Sequence, residues 1–410
     1  MFFASDNWAG AHPAINERLS KESTRFAAAY GNSELDRSIE ARFNEMFERD
    51  VAVFFVATGT AANSLALASV ARPGGLTFCH SEAHVIEDEC GAPDFFSGMR
   101  MVAVEGPAGK MLPENLVERI SRYPKDAIHH GRAAAITMTQ ATEVGTIYTL
   151  DEIDAIAKIA KDNGLPLHMD GARFAHACAT LGCSPSDITW RAGVDVLCFG
   201  GTKNGMAVGE AVLFFDPALA QDFDYRCKQA GQLASKMRFL SAPWVGLLES
   251  GAWLDNARHG NACATRLASA VVDLPGVELM FPVEANAVFL TAPETVLDGL
   301  RARGWRFYTF IGGGARFMFA WDADPARVEE LVADLRAVAV GAETVRPRDR
   351  TLDQIAGDAR RPVAGGEPAM HPRHVEPGTI VVEVDHATPL RNPSTTRFIS
   401  GASRRKASWP

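Results

Sequence analysis

Between Val51 and Pro217, apolar runs of strand length alternate with segments of helical period. VAVFFVA (51–57), AAAITMT (133–139) and LPLHMD (165–170) each lead into a helix, and VDVLCFG (194–200) leads into a glycine turn. None of these runs alternates apolar with polar residues, which is how strands read when both faces are covered, and strand–helix alternation builds parallel βαβ units. The pattern predicts an α/β fold: a mostly parallel sheet with helices on both faces. The best-specified helix opens at Thr149, whose hydroxyl caps the start while Glu152 reaches back. It puts Ile153, Ile156, Ala157 and Ala160 on one face and stops at Gly164 and Pro166. In such sheets chemistry collects where the carboxyl ends of strands meet loops. The polar residues directly after each strand are therefore the candidates.

From about residue 250 the pattern changes to fewer strands and longer helices. It finishes with Asp324 as a helix cap, Pro325 in the first turn, and Val328, Leu331, Val332, Leu335 and Val338 on one stripe. A large domain over 1–248, with the N-terminal segment, and a smaller C-terminal α+β domain over 249–340 are expected. Residues 341–410 hold 8 of the 22 prolines and 11 basic against 8 acidic residues with little periodicity, so a disordered tail is expected there. Its one apolar run is TIVVEV at 379–384.

Composition narrows the partners. With 47% hydrophobic residues among 410, the chain can bury a sizeable core. The formal charge of −9 opposes general affinity for nucleic acid or an anionic membrane, so a small-molecule partner is expected. The seven cysteines (79, 90, 178, 183, 198, 227 and 263) contain no C-x-x-C pair, which predicts neither a disulfide framework nor a metal site. The start, MFFASDNWAGAHP, has no targeting pattern, and no run of membrane-spanning length occurs, so a cytoplasmic protein is expected.

The chemistry centres on FGGTKNG (199–205), directly after an apolar strand. A lysine there, Lys203, is placed to be desolvated, which favours the neutral amine that forms a Schiff base with a carbonyl. The alternative is a solvated turn lysine. Asp170, in HMDGAR (168–173), closes another apolar strand 33 residues before Lys203, one βαβ unit away, so neighbouring strands would bring the two tips together. An aspartate beside a pyridine nitrogen keeps it protonated and makes the ring an electron sink. The alternative makes Asp170 a helix cap paired with Arg173. Together the two motifs suggest pyridoxal phosphate. In VAVFFVATGTAANSLAL, Gly59, Thr60 and Ala61 stand where a strand turns into a helix, whose unpaired first amides suit a phosphate. His84, after LTFC, is placed to stack on a pyridine ring, and His129, before AAAITMT, to meet a substrate hydroxyl.

SDNWAGAHP (5–13), AAYGNSELD (28–36), ATGTAAN (57–63), the HSEAH segment ending at His84, HMDGAR and FGGTKNG follow one another in an order and spacing that resemble the low-specificity L-threonine aldolases over nearly all of 1–340. These are pyridoxal-phosphate enzymes of the aspartate-aminotransferase-like fold. The resemblance implies that Lys203 holds the cofactor, Asp170 pairs with its ring nitrogen, Arg173 faces its ring hydroxyl, Gly59 and Thr60 bind its phosphate, and His84 stacks on the ring. It also implies that Ser5 and Arg316 fix the substrate carboxylate. Arginine suits that task because its planar fork donates two parallel hydrogen bonds. A homo-oligomer, a tetramer built as a dimer of dimers, is implied too, with Lys228 reaching a neighbouring subunit's site. The chain departs from the family at Thr202 and Asn204, where other members carry Ser-Lys-Gly around the lysine.

The implied reaction is retro-aldol cleavage of L-threonine, L-allo-threonine and related β-hydroxy-α-amino acids to glycine plus an aldehyde, with His84, His129 or a water as base. The rival readings are a phenylserine-preferring aldolase or a β-eliminating amino-acid lyase on the same scaffold, and, from another class, a noncatalytic interaction protein.

Overall fold

Seven strands form the larger sheet of the computed structural model: β1 (Ala52–Val56), β2 (Gly75–His80), β3 (Arg100–Val104), β4 (Arg132–Thr139), β5 (Leu167–Gly171), β6 (Val196–Gly200) and β7 (Glu210–Phe214). Their order is β1-β7-β6-β5-β4-β2-β3. β2 runs parallel to β3 and β4, β4 to β5, and β5 to β6, while β7 pairs antiparallel with both β6 and β1. β7 alone opposes the common direction, so the sheet is mostly parallel. Every position of β2, β5, β6 and β7 is buried, which is why these stretches show no in–out alternation. The structure describes residues 3–310 and 314–343, the last three in backbone only. The run at 379–384 and nearly all of the expected tail lie outside the described residues.

The helix Leu150–Asn163 carries the reciprocal cap between Thr149 and Glu152, ends at a left-handed Gly164, and buries Ile153, Ile156, Ala157 and Ala160. The helix Gly59–Ser69 follows β1 and is buried from Ala62 to Ala68. Beneath the end of β6, Phe199 lies edge-on to Trp244 and to Phe174, each with ring centroids 5.0 Å apart. Such pairs add about 0.5–1.5 kcal/mol each beyond their buried area. They anchor the strand at the residue before the lysine turn begins.

The smaller sheet is antiparallel in the order β10-β11-β9-β8, built from β8 (Glu278–Leu279), β9 (Ala287–Thr291), β10 (Tyr308–Thr309) and β11 (Gly314–Met318). The helix Pro325–Glu343 packs on it through Val328, Leu331, Val332 and Leu335, and Asp324 accepts a hydrogen bond from the Ala326 amide at 2.9 Å. The N-terminal segment joins this second core: Phe3 stacks on Trp305, and its carbonyl accepts from the Met318 amide at 2.8 Å. Both sheets belong to one compact unit. Among the described residues, no helix is long and apolar enough to cross a membrane.

Candidate active site

The ends of β1, β5 and β6 open onto one cavity of about 380 Å³, lined by Gly59, Thr60, Asn63, His84, Glu89, Asp170, Lys203 and Glu210 among others. β5 and β6 pair directly, with Asp170 opposite Cys198, so the strand tips bring Asp170 and the lysine turn to the same wall. The turn itself is pinned from two sides. The Gly201 amide donates to Glu210 Oε2 at 2.6 Å, and Asn204 bonds the Trp253 carbonyl while its own carbonyl accepts from Asn256. A Cβ at Gly200 would lie 2.3 Å from the Ala172 carbonyl oxygen, so only glycine permits this approach of the two strand ends. Gly205, at φ 100°, closes the turn in a conformation open chiefly to glycine.

Lys203 is half-buried, and desolvation lowers its ammonium below the ordinary range, with Arg173 adding to the effect and Asp6, Asp170 and Glu210 opposing it. That favours the neutral amine. Asp170 Oδ1 accepts from the Ala172 amide at 2.9 Å and Oδ2 from Asn63 Nδ2 at 2.8 Å. It therefore neither caps the helix Phe174–Leu181, which has no side-chain cap, nor pairs with Arg173.

Arg173 instead grips Asp6, with Nε to Oδ2 at 2.8 Å and Nη2 to Oδ1 at 3.0 Å. Burial alone would raise the Asp6 carboxyl; the charge of Arg173, with that of Lys203 and hydrogen bonds from Arg173 and Asn286, outweighs it and holds the group well below the carboxylate range. His84 begins the short helix His84–Glu87, and its amide donates to the half-buried Glu143 Oε1 at 2.8 Å. Burial holds its imidazole below the usual value, with Lys203 and Arg173 reinforcing this against Asp170 and Asp88. It faces the cavity as a neutral ring.

The helix that carries Gly59 and Thr60 is capped by Thr58, whose hydroxyl accepts from the Ala61 amide at 3.1 Å. The amides of Gly59 and Thr60 belong to the first turn, where no intrahelical acceptor exists. A Cβ at Gly59 would meet no atom within 4 Å, so the space before the helix is an open cradle.

Ser5 caps the single turn Asp6–Trp8 by accepting from the Asn7 amide. Arg316, on β11, donates from Nη2 to the Ala4 carbonyl at 3.2 Å and lies against the rings of Tyr308 and Phe310. Its tether is thus the residue before Ser5. Its Nε is buried with no hydrogen-bond partner among the described residues.

Two expected residues stand elsewhere. His129 is exposed in the loop before β4, whereas the site lies at the other strand ends, and the seven steps of that strand alone span roughly 23 Å. Within one chain His129 does not meet the cavity. Lys228 is exposed on the helix Phe223–Gln229, its ammonium 5.1 Å from the Tyr30 ring, and does not line the cavity.

Residues that sequence reasoning passed over are Asp6, Asn63, Glu89, Glu143 and Glu210. Burial pushes the carboxyl of Glu89 up to about 8 and those of Glu143 and Glu210 up to about 7. Asp6 and Glu89 do fall inside or beside the segments that carry the resemblance, which was the one available signal.

Residues 3–295 match the family model described as beta-eliminating lyase. The chain is 57% identical over 338 residues to the low specificity L-threonine aldolase of Pseudomonas sp. (strain NCIMB 10558), covering 82% of this chain and 97% of that protein. It is 55% identical over equal shares to the low specificity L-threonine aldolase of Pseudomonas aeruginosa. The solved structure of Leishmania major threonine aldolase superposes with a TM-score of 0.78 at 25% identity, covering 82% of this chain and 99% of that one. With the paired strand tips, the desolvated lysine and these likenesses together, the chain belongs to the beta-eliminating lyase family and, within it, to the low-specificity L-threonine aldolases.

Proposed function

We propose that this chain is a pyridoxal-phosphate-dependent carbon–carbon lyase that cleaves L-threonine, L-allo-threonine and related β-hydroxy-α-amino acids to glycine and an aldehyde. The observation that carries this reading is the meeting of Lys203 and Asp170 on one cavity at the tips of neighbouring parallel strands. The residues present fit the cofactor. The space a Cβ would fill at Gly59 gives a phosphate room against the helix amides, and an amine, a carboxylate and a neutral imidazole surround the volume beyond it.

When bound, pyridoxal phosphate would supply an aldehyde for a lysine amine and a cationic ring that takes up the electrons of the breaking bond. Lys203 is the amine for it, its desolvation favouring the neutral form. Asp170, its two oxygens fixed by Ala172 and Asn63, would accept a hydrogen bond from the ring N–H and keep the proton there. Gly59 and Thr60 would hold the phosphate, His84 would cover the ring, and Arg173, held by Asp6, would serve the ring hydroxyl. Arg316 and Ser5 hold the substrate carboxylate; the Nε of Arg316, without a hydrogen-bond partner among the described residues, is a donor for it. Fixing the carboxylate sets rotation about the Cα–N bond and selects Cα–Cβ for cleavage. His84 is the imidazole on the cavity, and it removes the β-hydroxyl proton directly or through a water.

The residues 1–248 serve as the cofactor-binding domain and 249–340 as the smaller domain, with the N-terminal segment running over both. The free cysteines support a reducing, cytoplasmic setting. We take the assembly to be a homotetramer, a dimer of dimers, in which the exposed Lys228 serves a neighbouring site. Borohydride reduction of the cofactor-loaded protein followed by peptide mass mapping tests the reading. The cofactor mass is expected on the Lys203 peptide and absent from Lys203→Ala; attachment elsewhere, or none, overturns it.

A further inference from the structure

Asn63 orients Asp170, and Glu89 beyond it is used by no step above. The single nitrogen Asn63 Nδ2 donates one hydrogen to Asp170 Oδ2 at 2.8 Å and the other to Glu89 Oε1 at 3.0 Å. All three residues are at least nine-tenths buried. Because both neighbours of the amide are carboxyl groups, chemistry assigns its NH₂ end to them. Neither Asn63 Oδ1 nor Glu89 Oε2 has a hydrogen-bond partner among the described residues. Glu89 faces Asn63 and Thr60 on the helix Gly59–Ser69, Asp170 on β5, Cys198 on β6 and Lys203 beyond it.

We propose that Glu89 is a positioning residue that acts on the cofactor's ring nitrogen through Asn63 and Asp170, by locking the amide so that Asp170 keeps one carboxylate orientation. The proposal rests on the functional reading above and deepens it. Two acceptors compete for one NH₂ group, and two negative charges so close in a buried setting repel. The arrangement is relieved when Glu89 holds a proton, as its carboxyl does up to about pH 8, raised by burial first and by Asp170 second. A neutral Glu89 still accepts from Asn63, so the amide stays locked while Asp170 carries the charge the ring nitrogen needs. Above that range a second negative charge appears two hydrogen bonds from Asp170.

Full-length Glu89→Ala and Glu89→Gln are compared with wild type, each loaded with pyridoxal phosphate. Three quantities are read: the cofactor dissociation constant by equilibrium dialysis, the pH titration of the visible cofactor band, and kcat and KM for L-threonine. Glu89→Ala is expected to weaken cofactor binding about tenfold and to lower kcat with KM little changed, the loss of a buried hydrogen-bond partner. Glu89→Gln, a permanent stand-in for the protonated form, recovers most of both and lacks the spectral change that wild type shows above about pH 8. If the two variants match each other or wild type in every readout, or if Glu89→Gln keeps the wild-type spectral change, the proposal is wrong while the functional reading stands. A wild-type protein that takes up no cofactor contradicts that reading, and this proposal with it.

Discussion

Asp6 and Arg173 lie 167 residues apart in the chain and form a two-pronged ion pair, with the Asp6 side chain fully buried and that of Arg173 only 13% exposed. The pair joins the N-terminal segment, which packs on the smaller sheet, to the turn after β5 in the larger one. Asn286 Nδ2 adds a third hydrogen bond to Asp6 at 3.1 Å from the loop before β9.

Asp6→Asn removes one partner of a buried pair and leaves the guanidinium uncompensated, a loss of about 3–5 kcal/mol. The sign in acid follows from the lowered carboxyl. Its contribution is present above the ordinary value of 3.8 and is lost as pH falls through the still lower folded value. Chemical denaturation at pH 7 and pH 3 checks this: the gap between wild type and Asp6→Asn should narrow at pH 3, and a constant gap would argue against the pair as the source.

Two glycines separate cofactor effects from fold effects. Gly200→Ala drives a Cβ into the Ala172 carbonyl and should cost about 2–3 kcal/mol in the cofactor-free protein. Gly59→Ala meets nothing and stands in a helix start, so the cofactor-free protein should keep its stability or gain up to about 1 kcal/mol, while the affinity for pyridoxal phosphate falls. Thermal melts with and without cofactor distinguish the two patterns.

Much of this was legible in the sequence. The apolar runs at β4, β5 and β6 became neighbouring parallel strands because burial on both faces needs unbroken apolar sequence, whereas the run at β1 became a half-buried edge strand paired antiparallel with β7. That same rule put Asp170 and Lys203 together from their spacing alone. Strands β3 and β7 were not read: β3 opens with the exposed Arg100, and β7 opens with the buried Glu210, a residue type rarely expected inside. Asp6 could not be matched to Arg173 because no local pattern links residues so distant. Glu89 and Glu143 look like surface acids until tertiary structure desolvates them. His129 precedes β4, so chain direction sets it, within one chain, at the strand end away from the cavity.

Asp170→Ala should leave the cofactor attached to Lys203 while turnover of L-threonine falls about 10²-fold or more, since the fixed charge opposite the ring nitrogen is gone. The visible band and kcat measured on the same sample decide it; wild-type turnover with bound cofactor would exclude the role.

Buried histidines give the fold a pH signature. Burial lowers both His168 and His176 from 6.5 to about 4, so between those values the unfolded chain binds protons that the folded chain does not. Their contribution is complete above pH 6.5 and is lost as pH falls toward 4. The raised carboxyls of Glu89, Glu143 and Glu210 work in the opposite sense from about 8 downward, so a variant comparison is needed. His176→Asn should gain stability relative to wild type on acidification from pH 6.5 to 4.5, by at most about 3 kcal/mol. Parallel pH profiles would refute the neutral buried imidazole.

Products name the reaction most directly. Purified, cofactor-loaded protein is given L-threonine, L-allo-threonine and L-phenylserine in parallel, and aldehyde, glycine, ammonia and keto acid are measured in the same tubes. Aldehyde and glycine in equal amounts from L-threonine and L-allo-threonine are the predicted result. Keto acid and ammonia without glycine would contradict carbon–carbon cleavage and make the protein a β-eliminating lyase.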